Sequence, residues 1–133
     1  MKYQISITGY IGAWTKRMVH DILNDNKGKH VDVSIDSLGG EVSAGLAICQ
    51  MFKSHGDVTV DFQAGFSASA ATICAMGANK IRMSKYSLLL VHKCSTEQFV
   101  WSALNEEEIG SLIEQLQKQQ ENQQKIDNII ANV

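Results

Sequence analysis

Two residues of this chain have the chemistry of a nucleophile and a base, and each lies where one secondary-structure element gives way to another. Ser69 lies in the small-residue stretch 65–71, just before a segment with a helical pattern. His92 ends the apolar run 88–91, which is typical of a buried strand. A serine hydroxyl is a weak nucleophile that needs a base for its proton and donors for the oxyanion. The pair therefore favours a serine hydrolase if the fold brings the two positions together.

A third position could supply the oxyanion donors. Ser37, Leu38, Gly39 and Gly40 separate a strand pattern from a helix pattern, and backbone N–H groups in such a glycine turn can hold an anion. The spacing does not match the glycine-rich loops of nucleotide-binding proteins. We therefore interpret the turn as part of a hydrolytic site and not as a nucleotide site.

Each of these residues also has a purely structural interpretation. Ser69 could cap a helix, the glycine pair could form a plain turn, and His92 could be a buried structural side chain. The other three histidines lie at polar helix or loop positions where we expect them to be solvated: His20, His30 and His55. Only the combination of the three junctions favours catalysis.

The elements that must position these residues follow from hydrophobic periodicity. Alternation predicts strands at 3–8, 31–35, 58–62, 80–83 and 87–92, and helical spacing predicts helices at 14–24, 41–54 and 69–77. Residues 9–12 and 37–40 are predicted to be turns, and residues 64–68 a flexible segment. Alternating strands and helices indicate βαβ units with a parallel sheet, whose ligand sites lie beyond the carboxyl ends of the strands. We therefore expect the three junctions to lie along one edge of one sheet.

Residues 104–132 form a different kind of segment. Three glutamates at 106–108 suit the positive end of a helix, and two apolar stripes flank a glutamine-rich stretch at 115–124. The stripes are Ile109, Leu112, Ile113 and Leu116, followed by Ile126, Ile129, Ile130 and Val133. A helix of this length, about 40 Å at 1.5 Å per residue, would overrun a small domain. It is therefore expected to project or to pack on a partner chain.

Composition excludes several classes of function. The chain has 133 residues, which suits one domain, and its formal net charge of -2 gives no reason to expect nucleic acid or an anionic membrane as a partner. No apolar run is long enough for a transmembrane helix, and the N-terminus lacks a signal-peptide core. Cys49, Cys74 and Cys94 form no CxxC pair or metal-ligand spacing, so we expect buried thiols and a cytoplasmic protein.

Four segments, in this order, resemble the Clp-type serine proteases, and especially the phage-like branch of that family. Residues 7–12, Ile-Thr-Gly-Tyr-Ile-Gly, with Trp14 are similar to the opening strand and turn of that branch. Residues 35–40, Ile-Asp-Ser-Leu-Gly-Gly, followed by Ala-Gly-Leu-Ala-Ile at 44–48, resemble the family's Ser-Pro-Gly-Gly turn and helix. Residues 65–71 are similar to the nucleophile segment, and Leu-Leu-Val-His at 89–92 to the strand that ends in the catalytic histidine. The resemblance covers nearly the whole chain.

The resemblance implies a fold and a site. The fold would be of the ClpP/crotonase type, an α/β domain of stacked βαβ units with a long protruding C-terminal helix. Ser69 would be the nucleophile and His92 the base, with the backbone N–H groups of Gly40 and Ala70 as the oxyanion hole. The segment that binds an extended substrate as an added strand would be Gly39, Glu41, Val42 and Ser43. Binding through the substrate backbone would give broad peptide specificity.

The resemblance also implies partners. Members of the family assemble as rings, often two rings stacked through the long helix, so a homo-oligomer is expected. Classical members receive peptide or protein substrates from an AAA+ unfoldase, and phage-type relatives can act in capsid maturation. No metal ion and no cofactor is expected.

Three departures from the family pattern affect these expectations. Leu38 and Cys94 stand where the family usually has proline. The family's third catalytic residue is an aspartate in a loop after the long helix, and the only aspartate downstream of His92 here is Asp127, which we interpret as a solvated helix residue. Residues 1–133 are therefore expected to form a single Clp-protease-like domain, truncated before the last β/α elements. Without an aspartate to orient the histidine, activity is expected to be weak or absent.

Two other classes of function remain open at this point. A CoA-dependent enzyme of the crotonase type would share the fold and use a glycine-containing oxyanion hole without a Ser–His pair. A catalytically silent assembly subunit would form rings without hydrolysing peptides. Strong labelling of Ser69 by a serine-directed reagent would argue against the CoA enzyme, and rings without hydrolysis in the full-length protein would identify the silent subunit.

Overall fold

A four-stranded parallel sheet forms the centre of the N-terminal part of the chain. Its strands are β1 (Ile5–Ile11), β2 (Val31–Gly40), β3 (Val58–Phe62) and β5 (Lys80–Met83), in the order β1-β2-β3-β5. Side chains alternate across a strand, so Ile5 and Ile7 lie fully buried on one face while their neighbours point to the other. The structure, a computed structural model, describes residues 2–92 and 105–132. It divides into two units, Met1–His92 and Lys93–Val133.

Three helices pack on the apolar side of this sheet. They are α1 (Ala13–Asp25), α2 (Val42–His55) and α3 (Ala70–Ala75). Val19, Ile48 and Phe52 are fully buried in the common core. Helices α2 and α3 can approach closely because Gly45 has no side chain. A Cβ atom at this position would lie only 3.2 Å from the Cβ of Ala70. The predicted helices and the α/β architecture are confirmed.

Two short strands form a second parallel sheet that sequence reasoning missed. These are β4 (Gly65–Ala68) and β6 (Ser87–Leu90), with Gly65 opposite Ser87 and Ala68 opposite Leu90. Residues 64–68 therefore do not form the predicted flexible segment, and the junctions follow strands of two sheets instead of one. The reason is that a four-residue strand beginning with glycine is too short to show a period-two pattern.

Strands β1 and β2 also continue further than predicted. Thr8 lies opposite Asp36 and Tyr10 opposite Gly39, so β1 advances by two residues while β2 advances by three. The extra residue in β2 is a β-bulge, which bends the strand without ending its pairing. The predicted turn at 37–40 is therefore wrong, and residues 9–11 also belong to a strand.

The described part of the second unit is one helix, α4 (Glu106–Ala131), as the sequence predicted. The side-chain oxygen of Asn105 accepts a hydrogen bond of 2.8 Å from the backbone N–H of Glu108 and caps the helix. None of its residues is buried. Across residues 2–92 and 105–132, no helix has both the length and the hydropathy that crossing a bilayer requires.

Candidate active site

Ser69 occupies a strained turn between β4 and α3. Its φ is 59° and its ψ is -125°, and it is the only residue besides glycine with a positive φ in the described part of the chain. Such a conformation costs about 1–3 kcal/mol and is found where the surrounding structure imposes it, often at functional sites. A serine on a sharp strand-to-helix turn is the arrangement that exposes the nucleophile in many hydrolases. The half-buried Ser69 therefore has the backbone geometry of a nucleophile.

Hydrogen bonds hold this turn on both sides. The backbone N–H of Ser69 donates to the carbonyl oxygen of Leu90 at 3.1 Å, which ties the turn to the end of β6. The Ser69 carbonyl oxygen accepts from the hydroxyl of Thr72 at 2.6 Å and from the backbone N–H of the same residue at 3.0 Å. No side-chain hydrogen bond from Ser69 caps α3, so its hydroxyl is not used as a helix cap. Ser69 stands at the N-cap position of α3, but its side chain does not cap the helix as the structural alternative requires.

His92 lies two residues after the end of β6, the strand that accepts the hydrogen bond from the Ser69 backbone. Leu90, which accepts the Ser69 N–H, is the last residue of β6, and two residues of chain span at most about 7 Å. The imidazole of His92 is exposed and not buried in a strand, so the structural interpretation of this residue as a core histidine does not hold. A direct contact between the hydroxyl of Ser69 and the ring of His92 stays a prediction.

The glycine pair of β2 lies directly against the nucleophile turn. A Cβ atom at Gly39 would be 2.8 Å from the Cβ of Ser69 and 3.1 Å from the backbone nitrogen of Ala70. Only a residue without a side chain can approach the turn this closely, and the φ of 106° at Gly39 also favours glycine. The fold therefore brings two of the three predicted junctions into van der Waals contact.

The backbone of Gly40 and Ala70 is suited to donate hydrogen bonds at this site. The N–H of Glu41 donates to the carbonyl oxygen of Ile11 at 2.9 Å. Successive N–H groups of an extended strand point to opposite sides, so that of Gly40 points away from β1. Ala70 is the first residue of α3, where N–H groups have no acceptor within the helix. These are the two donors that the sequence resemblance implies.

A pair of serines that sequence reasoning missed joins the two sheets here. The backbone N–H of Ser37 in β2 donates to the hydroxyl oxygen of Ser67 in β4 at 3.2 Å, and both residues are buried. The hydroxyl of Ser37 donates to the carbonyl oxygen of Gly9 at 2.6 Å and accepts from the N–H of Gly39 at 3.0 Å. The N–H of Gly39 is thereby occupied. Because β4 was not predicted, no sequence signal could have paired these residues.

The predicted substrate strand falls partly in a helix. Glu41 is the residue before α2, and Val42 and Ser43 form its first turn. Strand β2 ends at Gly40 and Glu41 is still extended, but of the four residues named from the resemblance only Gly39 lies in a strand. Whether the segment straightens to pair with a substrate stays a prediction.

The remaining histidines and cysteines lie away from this site. His30 is 46% exposed, as expected, and contacts the carboxylates of Asp57 at 2.8 Å and Asp32 at 3.1 Å, which raise its pKa. Cys49 and Cys74 are buried as expected, and burial raises the pKa of Cys74 to about 12, which makes this thiol inert. Cys94 lies outside the described residues.

Asp127 lies within α4, as expected, and its side chain is partly buried. Within residues 2–92 and 105–132, no three His, Cys, Asp or Glu side chains lie close enough to ligate a metal ion. The described chemistry of the site therefore consists of a hydroxyl, an imidazole and backbone N–H groups.

A parallel α/β domain with a serine on a strained strand-to-helix turn is an arrangement found in serine hydrolases. A sequence profile of the Clp protease family matches residues 8–132. The chain therefore belongs to the Clp protease family. No characterised protein sequence shows significant similarity to it.

Solved structures with the same fold agree with this assignment. A ClpP1 mutant from Listeria monocytogenes is 24% identical with a TM-score of 0.62, and the match covers 69% of this chain and 57% of that one. The ClpP catalytic domain from Plasmodium falciparum is 22% identical with a TM-score of 0.57, and the match covers 66% and 53%. A mutant of a membrane-bound stomatin-specific protease is 20% identical with a TM-score of 0.55, and the match covers 64% and 44%. The chain thus spans about half the length of these proteins.

Proposed function

We propose that this protein is a serine endopeptidase in which Ser69 is the nucleophile and His92 the general base. The observation that carries the proposal is the backbone of Ser69, a non-glycine residue with a φ of 59° whose turn contacts Gly39. Nothing in the packing of an ordinary helix start requires that strain. A nucleophile held toward a substrate does require it.

The proposed reaction follows the usual course of acyl transfer. His92 takes the proton of the Ser69 hydroxyl while the oxygen attacks the peptide carbonyl carbon. The N–H groups of Gly40 and Ala70 stabilise the oxyanion of the tetrahedral intermediate. The imidazolium returns the proton to the leaving amine, which leaves an ester on Ser69. Water, deprotonated by His92, then hydrolyses this ester and releases the carboxylic acid.

Labelling with a fluorophosphonate tests the assignment without requiring an optimal substrate. We expect stoichiometric labelling of Ser69 that Ser69→Ala abolishes and that His92→Ala slows by about 10²–10⁴-fold, the usual contribution of a general base. Ser54→Ala, at an exposed position near the end of α2, is the matched control and should leave the rate unchanged. Rapid labelling that is unaffected by His92→Ala would contradict the proposed base.

The same labelling separates the proposal from its two alternatives. A crotonase-type CoA enzyme or a silent assembly subunit has no activated serine, so Ser69 would react no faster than Ser54. Peptide hydrolysis by these 133 residues alone is expected to be weak, because none of them matches the aspartate that orients the catalytic histidine in the family pattern.

Ring assembly through α4 is part of the proposal. Ile109, Ile113, Leu116 and Ile129 are 40–52% exposed on this helix, which is a large apolar surface for a single helix. We expect Leu112→Glu/Leu116→Glu to lower the oligomeric mass in light scattering. The control is Gln117→Glu/Gln120→Glu, which adds the same charge at exposed polar positions. An unchanged mass in the first variant would show that α4 is not the assembly surface. A stacked double ring, an AAA+ partner and a cytoplasmic location stay predictions.

A further inference from the structure

A pocket of about 500 Å³ lies next to the candidate nucleophile. Gly39 and Gly40 form part of its wall, and Gly39 is the residue that contacts the Ser69 turn. The other lining residues are Gly9, Tyr10, Asp36, Ser37, Leu38 and Phe66. A side chain in this pocket would therefore belong to a substrate residue close to the bond that Ser69 attacks.

The side chains of this pocket are of two kinds. Tyr10, Leu38 and Phe66 provide apolar walls and are 70%, 68% and 43% exposed, so three large apolar side chains at one pocket are accessible to a ligand. Among the described residues, Asp36 is the only acidic one that lines the pocket. Its carboxylate lies over Gly65, where a Cβ atom would be 3.2 Å from the carboxylate oxygen. In the described part of the chain, no hydrogen bond or ion pair engages this carboxylate.

This combination favours a cationic ligand with an aliphatic stem. A neutral apolar side chain would cover Asp36 and remove water from the carboxylate without replacing its hydrogen bonds, which is unfavourable. A lysine or arginine stem can pack on Leu38 while its charged head reaches Asp36. The rings of Tyr10 and Phe66 add faces that attract a cation.

We propose that this pocket is a substrate subsite that selects lysine or arginine next to the scissile bond. The inference rests on the proposed peptidase function and refines it, since binding through the substrate backbone alone would be indifferent to side chains. The pocket supplies that missing selectivity through Asp36.

Peptide binding to the Ser69→Ala protein tests this subsite independently of catalysis. The probes are N-acetyl-Ala-X-Ala amides in which X is lysine, arginine or norleucine, and the readout is the dissociation constant from amide chemical shifts. We expect lysine and arginine to bind about fivefold more tightly than norleucine, as a partly exposed ion pair allows. The difference should shrink at high salt, because exposed charges are screened.

Asp36→Asn should remove the preference for the basic peptides while norleucine binding stays unchanged. Asp25→Asn makes the same change of charge at an exposed position at the end of α1, outside the pocket, and should leave the preference intact. Phe66→Ala should weaken all three peptides. Equal binding of lysine and norleucine, absence of binding, or equal effects of the two Asp→Asn variants would overturn the subsite.

The labelling of Ser69 in the unmodified chain keeps this test separate from the proposed function. Labelling without a lysine preference would refute the subsite and leave the peptidase assignment standing. A lysine preference that depends on Asp36, without any labelling, would support a basic-peptide site and refute the peptidase assignment.

Discussion

Polar side chains have different surroundings in two regions of the N-terminal unit. At the active-site edge, where β2 and β4 end, Ser69 is strained and Asp36 has no ionic partner among the described residues. On the polar face of the sheet, Asp61 in β3 bonds both to the guanidinium of Arg82 and, at 2.8 Å, to the hydroxyl of Tyr3. The difference indicates that the polar face stabilises the fold, whereas the active-site edge keeps groups available for a substrate.

The polar face follows from the strand register. Asp61 lies directly opposite Arg82 in the parallel pair β3–β5, where side chains of opposite charge attract each other. The Arg82 guanidinium and the Tyr3 hydroxyl hold the pKa of Asp61 below its usual value, although burial opposes this. Arg82 lies 3.8 Å from the carboxylate of Asp32 and links it to the same network.

The largest loss of stability is expected at Gly40, where the backbones of β1 and β2 are in close contact at the active-site edge. In Gly40→Ala the new Cβ would lie 2.2 Å from the carbonyl oxygen of Ile11, so β1 and β2 must separate. We expect a loss of about 3 kcal/mol in the free energy of unfolding, measured by urea denaturation. Gly110→Ala is the control, because nothing lies within 4 Å of its Cβ position. Comparable stability of the two variants would show that β1 and β2 can move apart at low cost.

The next effect concerns the polar face. Asp61→Ala removes the charged partner of Arg82 and should lower the free energy of unfolding by about 2 kcal/mol, the typical value for hydrogen bonds to charged groups. Arg82 is 39% exposed and can turn to water, which keeps the loss from being larger. The comparison is Asp57→Ala. The side chain of Asp57 is 62% exposed, so this variant should lower the free energy of unfolding by less.

The pH dependence of Asp61 has a defined sign. Its pKa is lower in the folded protein than in the unfolded chain, so its stabilisation is present above the unfolded value, near 3.8, and is lost as the pH falls through the lowered folded value. Denaturation curves of Asp61→Asn should therefore lose part of the acid dependence of the parent. If the free energy of unfolding of Asp61→Asn fell with acid as steeply as that of the parent, this carboxylate would not contribute.

A smaller effect tests the link between the two sheets. Ser67→Ala leaves the buried N–H of Ser37 without its acceptor and should cost about 1 kcal/mol. Ser84→Ala is a close control, since its hydroxyl also accepts a backbone N–H at 3.2 Å, but at an exposed site. Ser67→Ala should also slow the labelling of Ser69, whereas Ser84→Ala should not. Equal stability of both variants would show that water replaces the lost acceptor.

The smallest effect is expected at His30. Asp57 and Asp32 raise its pKa, so its stabilisation is fully present below the unfolded pKa, near 6.5, and is lost as the pH rises through the folded value. Its side chain is 46% exposed, so the contribution should be only about 0.5 kcal/mol after screening by solvent. His30→Gln should lower stability at pH 5 and leave it unchanged at pH 9, as followed by thermal unfolding. A loss of equal size at both values would contradict an ionic origin.

Periodicity in the sequence was sufficient for the larger elements. Val31, Val33 and Ile35 alternate because β2 buries one face, and the 3–4 spacing of Ile48 and Phe52 marks the face of α2 that packs on the sheet. These patterns are local, since they depend on which side of one element meets the core. The motif segments around Ser69 and His92 also predicted the family without knowledge of the fold.

Tertiary structure alone decided how these segments meet. The pairing of β4 with β6, the bulge that carries β2 to Gly40, and the bond from Ser37 to Ser67 all join residues far apart in the chain. Four-residue strands and single hydrogen bonds leave no periodic signal. The partners of Asp61 and His30 likewise depend on strand register, which is fixed by the packing of the whole sheet and not by the residues next to them in sequence.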